Sequence, residues 1–296
     1  FNTSSGLAAN APTIYDYLVE HDLDVMFVPD AGLFHPPAAR FFAPPARPPH
    51  LRYRVFSTAP PTAEAPRPWA CAIVVRETLA TDIDPVGDDP SGRALAVDIR
   101  LGKKRRHRLI CVYQPPNLDE IPCPARGVSA PVRSESERLR TVAREWAAAP
   151  GVTEATLGCD ANETVYGPID RAVGRTRRPG RPHSGTIHGM LLEDGWVDLF
   201  RLLHPFPDPE DEAITDDALA LDPGHTYFDP GGGSSRIDYV LSTSNRLPLT
   251  CSVDSSFHIG NDTGHRPLLF QVDLASPAES APPAAPVQDR VRERRR

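Results

Sequence analysis

Apolar and polar positions change period several times along the chain, and each change outlines an element. Over 10–21 (NAPTIYDYLVEH), Ile14 and Leu18 recur at helical spacing. Pro12 suits a first turn and Asn10 suits the cap, so the segment is predicted as an amphipathic helix. The runs 24–28, 71–76, 94–100 and 109–114 are short and rich in β-branched residues, which predicts strands. Over 134–149, Leu139, Val142 and Trp146 share one face. Ser134 followed by Glu137 forms a capping-box pattern, so a second helix is predicted there. Further strands are predicted at 153–158, 237–242 and 267–273, with a helix near 184–194. Strands outnumber helices, and 71–114 carries consecutive strands with no helix between them. That excludes a regular doubly wound βαβ sheet and predicts a mixed α/β sandwich.

Proline changes the picture between these runs. Its 34 residues concentrate in 36–68, 115–131, 205–230 and after 276. Proline blocks helix interiors and sheet ladders alike, so these stretches read as long loops inserted into a scaffold. The segment 276–296 (SPAESAPPAAPVQDRVRERRR) lacks an apolar period and ends in a basic run, so it reads as a disordered linker after a domain spanning 1–275. The start, FNTSS, has neither an initiator Met nor a signal sequence, and reads as an internal point of a longer chain.

At 296 residues the chain has ample material for a buried core. Its longest uninterrupted apolar run, 69–75, is too short to span a bilayer, so no membrane association is expected. The five cysteines are an odd count without a CxxC pair; they read as reduced core residues in an intracellular, reducing compartment. The formal charge of −7 argues against a cationic nucleic-acid coat. A local basic groove is still allowed, because binding follows the local field.

Candidate chemistry sits at the ends of the strand-like runs. After 153–158 comes Gly158-Cys159-Asp160-Ala161-Asn162, and an Asp and an Asn two apart at a strand end point toward one pocket. An acidic acceptor beside an amide donor suits activating a water and holding a phosphate oxygen; an Asx turn explains the same pattern. In SSRIDYVL, Asp238 is embedded in an apolar strand, where an unpaired carboxylate costs several kcal/mol. His265, in DTGHRPLLF just before the last strand, is its candidate partner.

Taken in order, FNTSSGL, DVMFVPDAGL, CVYQPPN, LGCDAN, HTYF with SSRIDYVLS, and DTGHRPLLF resemble the endonuclease/exonuclease/phosphatase superfamily. This superfamily includes abasic-site endonucleases and the endonuclease domains of LINE-type retrotransposons, and SSRIDYVLS with HTYF before it is closest to the latter. The resemblance covers 1 to about 274. It implies a two-sheet β-sandwich flanked by helices, a four-layer α/β arrangement, whose first strand is mostly absent here.

By the same resemblance, Asn2 and Asp30 stand at the metal-binding positions, Asp30 where the family has Glu. Tyr113 lines the phosphate site, and one extra residue in its segment places the matching Asn at Asn117. Asp160 activates the water with Asn162 as companion, Asp238 orients the catalytic His265, and Tyr227 lies on the substrate side. The implied cofactor is Mg²⁺ or Mn²⁺, acting in hydrolysis of phosphoesters. Gly264 replaces the family's Asp, which with Asp30 predicts a weakened metal site that Gly264→Asp should repair unless Gly264 is held at positive φ.

Two basic runs are candidates for DNA contact: 103–108 (KKRRHR), which reads as a hairpin tip, and 171–181 (RAVGRTRRPGR), with Arg175, Arg177 and Arg178 beside the site. The leading expectation is a DNA endonuclease domain of a retrotransposon-like polyprotein, nuclear and joined to a reverse transcriptase. A phosphatase or phosphodiesterase of the same superfamily is the enzymatic alternative, and a pseudoenzyme binding DNA or protein the non-catalytic one.

Overall fold

The computed structural model describes residues 1–4, 6–32, 36–58, 70–79, 82–101, 105–114, 120–123, 128–165, 170–172, 186–205, 224–230, 232–244, 248–257 and 264–274. Two sheets stacked face to face form its centre. The larger is built from β4 (Asp82–Asp88), β5 (Ala94–Leu101), β6 (Arg105–Tyr113), β9 (Glu154–Asp160), β11 (Val197–Asp198) and β14 (Asp238–Ser242), in the order β11-β14-β9-β6-β5-β4. Its pairings are antiparallel except β6 with β9, which run parallel. The smaller sheet has the order β1-β3-β2, from β1 (Val25–Val28), β2 (Tyr53–Ser57) and β3 (Ala72–Arg76).

Period-2 alternation explains why β5 and β6 read as continuous apolar runs: both of their faces are covered. Leu95, Val97, Ile99, Leu109 and Cys111 face the smaller sheet, meeting Phe27, Ile73 and Val75. The alternate residues Ala94, Ala96, Ile110 and Val112 face the helices α3 (Val132–Ala147) and α4 (Thr186–Leu192) through Leu139, Ala143, Ile187 and Met190. On the far side, α1 (Ala11–Glu20) lays Ile14 and Leu18 on Met26, Val28 and Val74, with Phe42 of α2 (Pro36–Phe42) beside them. The layers run helix, sheet, sheet, helix. At the seam a Cβ on Gly158 would lie 2.4 Å from the Phe27 ring, so glycine is what allows β9 to meet β1 there.

Several boundaries differ from the sequence reading. The helix predicted from Ser134 starts at Val132, which puts Ser134 inside its first turn rather than at its cap. Asn10 makes no side-chain cap bond; its amide donates to the Gly6 carbonyl instead. The proline-rich stretches read as loops hold α2, β2 and the hairpin of β7 (Glu120–Cys123) with β8 (Val128–Pro131). Pro36 and Pro37 open α2, where a missing N–H costs nothing. Pro85 sits in β4, the edge strand, beside a register shift that removes the need for its donor. Cys71, Cys111, Cys159 and Cys251 are free and buried, as reduced core residues should be. The linker at 276–296 lies outside the described residues.

Candidate active site

Parallel pairing of β6 with β9 and antiparallel pairing of β9 with β14 line up one residue at the same end of each strand. Tyr113 is in register with Asp160, and Asp160 with Asp238. All three are buried. A short ladder brings His265 to this row. Phe228 of β12 (Tyr227–Phe228) donates its N–H to the Gly264 carbonyl, and Arg266 donates to the Thr226 carbonyl. A β-bridge joins Tyr227 to His265. Thr226 also secures Asp238 from the other side, its hydroxyl accepting the N–H groups of Ile237 and Asp238.

The resulting geometry is a chain of polar contacts. His265 Nδ1 lies 3.0 Å from Asp238 Oδ2, and its Nε2 faces Asp160 Oδ2 at 3.9 Å. Asp160 is held through both oxygens: Asn2 Nδ2 donates to Oδ2 at 2.7 Å and the Asn162 N–H to Oδ1 at 2.9 Å. The Asn2 side-chain oxygen Oδ1 in turn accepts from the Ser4 N–H. Asn162, at φ 50°, uses its amide to donate to the Gln114 carbonyl. Tyr227 is half-buried, with its ring centroid 5.0 Å from that of His265.

Charge in this pocket is out of balance. Burial, then the facing Asp238 carboxylate, push Asp160 up to about 7, against the pull of His265, Asn2 and the Asn162 N–H. Burial alone would discharge the His265 ring, but Asp238, through its charge and its hydrogen bond, and Asp160 hold its pKa above the ordinary histidine value. Burial, with Asp30 and Asp160 nearby, raises the Tyr113 phenol, so it stays a neutral donor. The Asp238 Oδ1 atom is buried without a hydrogen-bond partner. Among the described residues, Asp160, Asp238 and His265 are the one group of three or more metal-capable side chains, their ligand atoms all within 4.8 Å of one another.

Asp160, Asn162, Asp238, His265 and Tyr113 thus converge, although they are far apart in the chain. Asn2 joins them through Asp160. Asp30 lies just past β1 at φ 53°, close enough for its charge to act on Tyr113 but outside the metal-capable group. Asn117, Arg175, Arg177 and Arg178 lie outside the described residues. Of the other basic run, Lys103 and Lys104 lie outside the described residues, while Arg105–Arg108 lie in β6 at the end opposite Tyr113, where Arg108 makes a bidentate pair with Asp98 at 2.7 and 2.9 Å. Gly264 is held at φ +74°, where a Cβ would stand 2.7 Å from the Phe228 carbonyl. The anticipated repair by Gly264→Asp therefore fails on its own condition: this loop has no room for a side chain. Thr226 was missed by the sequence reading although it stands in the HTYF segment; only the fold shows that its hydroxyl anchors Asp238.

No protein-family profile matches the chain, and neither does any curated protein. Solved structures do. The endonuclease domain of TRAS1, a telomere-specific non-LTR retrotransposon, is similar at 17% identity and a TM-score of 0.53, over 93% of this chain and 97% of that one. An AP endonuclease from Archaeoglobus fulgidus is similar at 16% identity and 0.58, over 92% and 98%. An endonuclease/exonuclease/phosphatase family protein from Leptotrichia buccalis is similar at 9% and 0.52, over 92% and 97%. With the four layers and the strand-end row already described, these likenesses establish that the chain has the endonuclease/exonuclease/phosphatase fold.

Proposed function

We propose that the chain is a metal-dependent phosphodiesterase acting on DNA, an endonuclease domain of a retroelement polyprotein. The observation that supports this most is the Asp160–His265–Asp238 constellation at one end of the central strands. In this reading Asp160 takes a proton from the attacking water. Its two held oxygens fix its direction, and a raised pKa suits a base working near neutrality. His265, kept charged by Asp238, donates from Nε2 to a phosphate oxygen, and Tyr113 donates as a neutral phenol. Asn162 and Asn117 position the phosphate, and Tyr227 borders the substrate.

The pocket suits a cation, because Asp160 is raised by a facing carboxylate and Asp238 Oδ1 lacks a donor. Asp160 and Asp238 are the carboxylates of the metal-capable group that would hold Mg²⁺ or Mn²⁺, with Asn2 and Asp30 the neighbouring positions that the sequence resemblance assigns to the metal. When bound, such an ion supplies neutralisation of charge on the phosphate oxygens. The likeness to the endonuclease domain of a telomere-specific non-LTR retrotransposon supports the endonuclease reading. A reverse transcriptase in the same polypeptide and action in the nucleus are part of the proposal that follows from the sequence resemblance alone. Among the described residues no helix is long and apolar enough to cross a membrane.

The test is nicking of supercoiled plasmid with and without Mg²⁺ or Mn²⁺, beside hydrolysis of a phosphomonoester. Metal-dependent nicking that falls with His265→Ala supports the proposal. Hydrolysis of the monoester alone would shift it to a phosphatase, and no hydrolysis of either to a pseudoenzyme. Replacing Arg175, Arg177 and Arg178 by Ala should flatten the salt dependence of DNA binding by roughly 2–3 units of slope.

A further inference from the structure

Arg93 stands immediately before β5, and the β5–β6 register carried one step further sets it opposite Tyr113. The Tyr113 N–H donates to the Arg93 carbonyl at 2.8 Å, as that step requires. By the parity of Leu95 and Cys111, both side chains fall on the face toward the smaller sheet. The Arg93 side chain does not leave for solvent. The residue is 1% exposed, and its guanidinium carbon lies over the Tyr113 ring, 5.3 Å from the centroid. The Arg93 carbonyl also accepts from the Cys71 thiol at 3.1 Å, so the backbone here is tied to β6 and to the residue that precedes β3.

A buried guanidinium needs compensation, and its surroundings supply it. Burial works against the Arg93 charge, whereas the Tyr113 phenol, Glu135 in the first turn of α3 and Asp30 past β1 work for it. Glu135 is itself fixed. Arg138 donates from Nε to it at 2.8 Å and also pairs with Asp89, whose side chain accepts the Ser91 N–H at 3.0 Å. The Gly92 N–H closes back on the Asp89 carbonyl at 2.8 Å. The turn that delivers Arg93 is thus clamped to the helix whose carboxylate attracts it.

We infer that Arg93 is a positioning residue for Tyr113, holding the phenol in one direction and drawing electron density from its ring so that the hydroxyl donates more strongly to a phosphate oxygen. This rests on the reading of Tyr113 as the phenol donor. A cation over a ring is attracted by the negative face of the quadrupole, and away from water that attraction is little screened. Fixing a donor before the reaction removes the cost of reorganising it while charge develops. Arg93 meets the ring rather than the reacting atoms, so its effect on hydrolysis passes through Tyr113. A guanidinium that served only to neutralise Glu135 would leave the phenol unaffected.

The test compares the wild-type chain with Arg93→Met, Arg93→Lys, Tyr113→Phe and the double variant Arg93→Met/Tyr113→Phe. Each is read by Mg²⁺-dependent nicking of supercoiled plasmid, with kcat and KM separated. Each is also read by NMR of protein carrying carbon-13 at the tyrosine Cζ, where Tyr113→Phe assigns the Tyr113 resonance. Arg93→Met should lower kcat at least ~10-fold with KM changed less than ~2-fold, and should move the Tyr113 resonance. Arg93→Lys, which keeps a cation there, should lose less than ~3-fold. In the Tyr113→Phe background the Arg93→Met change should cost less than ~2-fold, because the phenol it serves is gone. Equal losses in both backgrounds, or a loss confined to KM, overturn the inference by making Arg93 a direct phosphate contact or a part of the fold alone. An unmoved Tyr113 resonance overturns it as well, whether or not the chain nicks DNA. A wild-type chain that nicks nothing fails the reading of the site instead, and the resonance then decides whether Arg93 sets the phenol. If Arg93→Met does not fold, Arg93→Met with Glu135→Gln, which removes both charges, takes its place in every comparison.

Discussion

Two buried charge clusters meet on β14, and they are built to opposite ends. Arg236, fully buried just before the strand, places its guanidinium 2.5 Å from Asp198 and 3.9 Å from Asp170, and Arg201 takes Asp170 at 2.5 Å. Two arginines face two aspartates, and the rings of Tyr239 and Phe200 lie 4.4 and 5.0 Å from the Arg236 guanidinium. Two residues later Asp238 enters the other cluster, where two carboxylates share one imidazole. Balance makes the first a structural brace that holds β14 to the helix α5 (Leu199–Leu203), whose N-terminal N–H groups Asp198 also caps. Imbalance makes the second a site that seeks a proton, a cation or a substrate.

The sharpest way to break this contrast is to remove one member from each cluster. Arg236→Met leaves buried aspartates short of a partner and should cost about 3–5 kcal/mol in denaturant titration. Asp160→Asn removes a repelling charge, so at pH 7.5 without metal it should leave stability unchanged or higher, while nicking falls at least ~10²-fold. Equal destabilisation by both would erase the distinction between brace and site.

Proton uptake sharpens it next. The folded chain raises the pKa of both Asp160 and His265, so it binds more protons than the unfolded chain above their ordinary values. Stability should therefore fall as pH rises from 5 toward 8, through the folded value of about 7 for Asp160, at no more than about 1.4 kcal/mol per pH unit for each group. Denaturation in chelator at several pH values checks the sign, and Asp160→Asn should flatten the slope. A wild-type stability independent of pH over that range would contradict the imbalance.

A smaller effect belongs to the loop that carries His265. Gly264→Ala meets both a positive φ and the Phe228 carbonyl, and should cost about 1–2 kcal/mol with some loss of nicking. Gly264→Asp should fail to lower the metal requirement. The smallest effect is expected far from the row: Arg106→Ala, at the opposite end of β6, should change nicking less than ~2-fold.

Much of the site could be read from the chain because its residues sit where runs of apolar residues stop. Asp160 ends one such run, Asp238 interrupts another and His265 precedes a third, so their polarity stood out against their neighbours. Arg236 stands as openly in SSRIDYVL, yet nothing local distinguishes a brace from a phosphate contact; only Asp170 and Asp198, distant in sequence, decide it. Pro36 and Pro37 were read as loop because a proline pattern cannot separate a helix start from a helix end. Gly264 was read as a missing ligand because a backbone angle leaves no mark in composition.

Short β-branched runs, which are local, were enough to determine that strands dominate and which residue types carry the chemistry. Register was left to the tertiary structure. Tyr113, Asp160 and Asp238 form a row only because β6 and β9 run parallel and β14 antiparallel, an arrangement set by how the apolar faces of two sheets and their helices close on one another. Charge balance followed from the same closure. Desolvation and Coulomb interaction act through space, so whether a buried aspartate becomes a brace or a base depends on which distant residues the packing brings beside it.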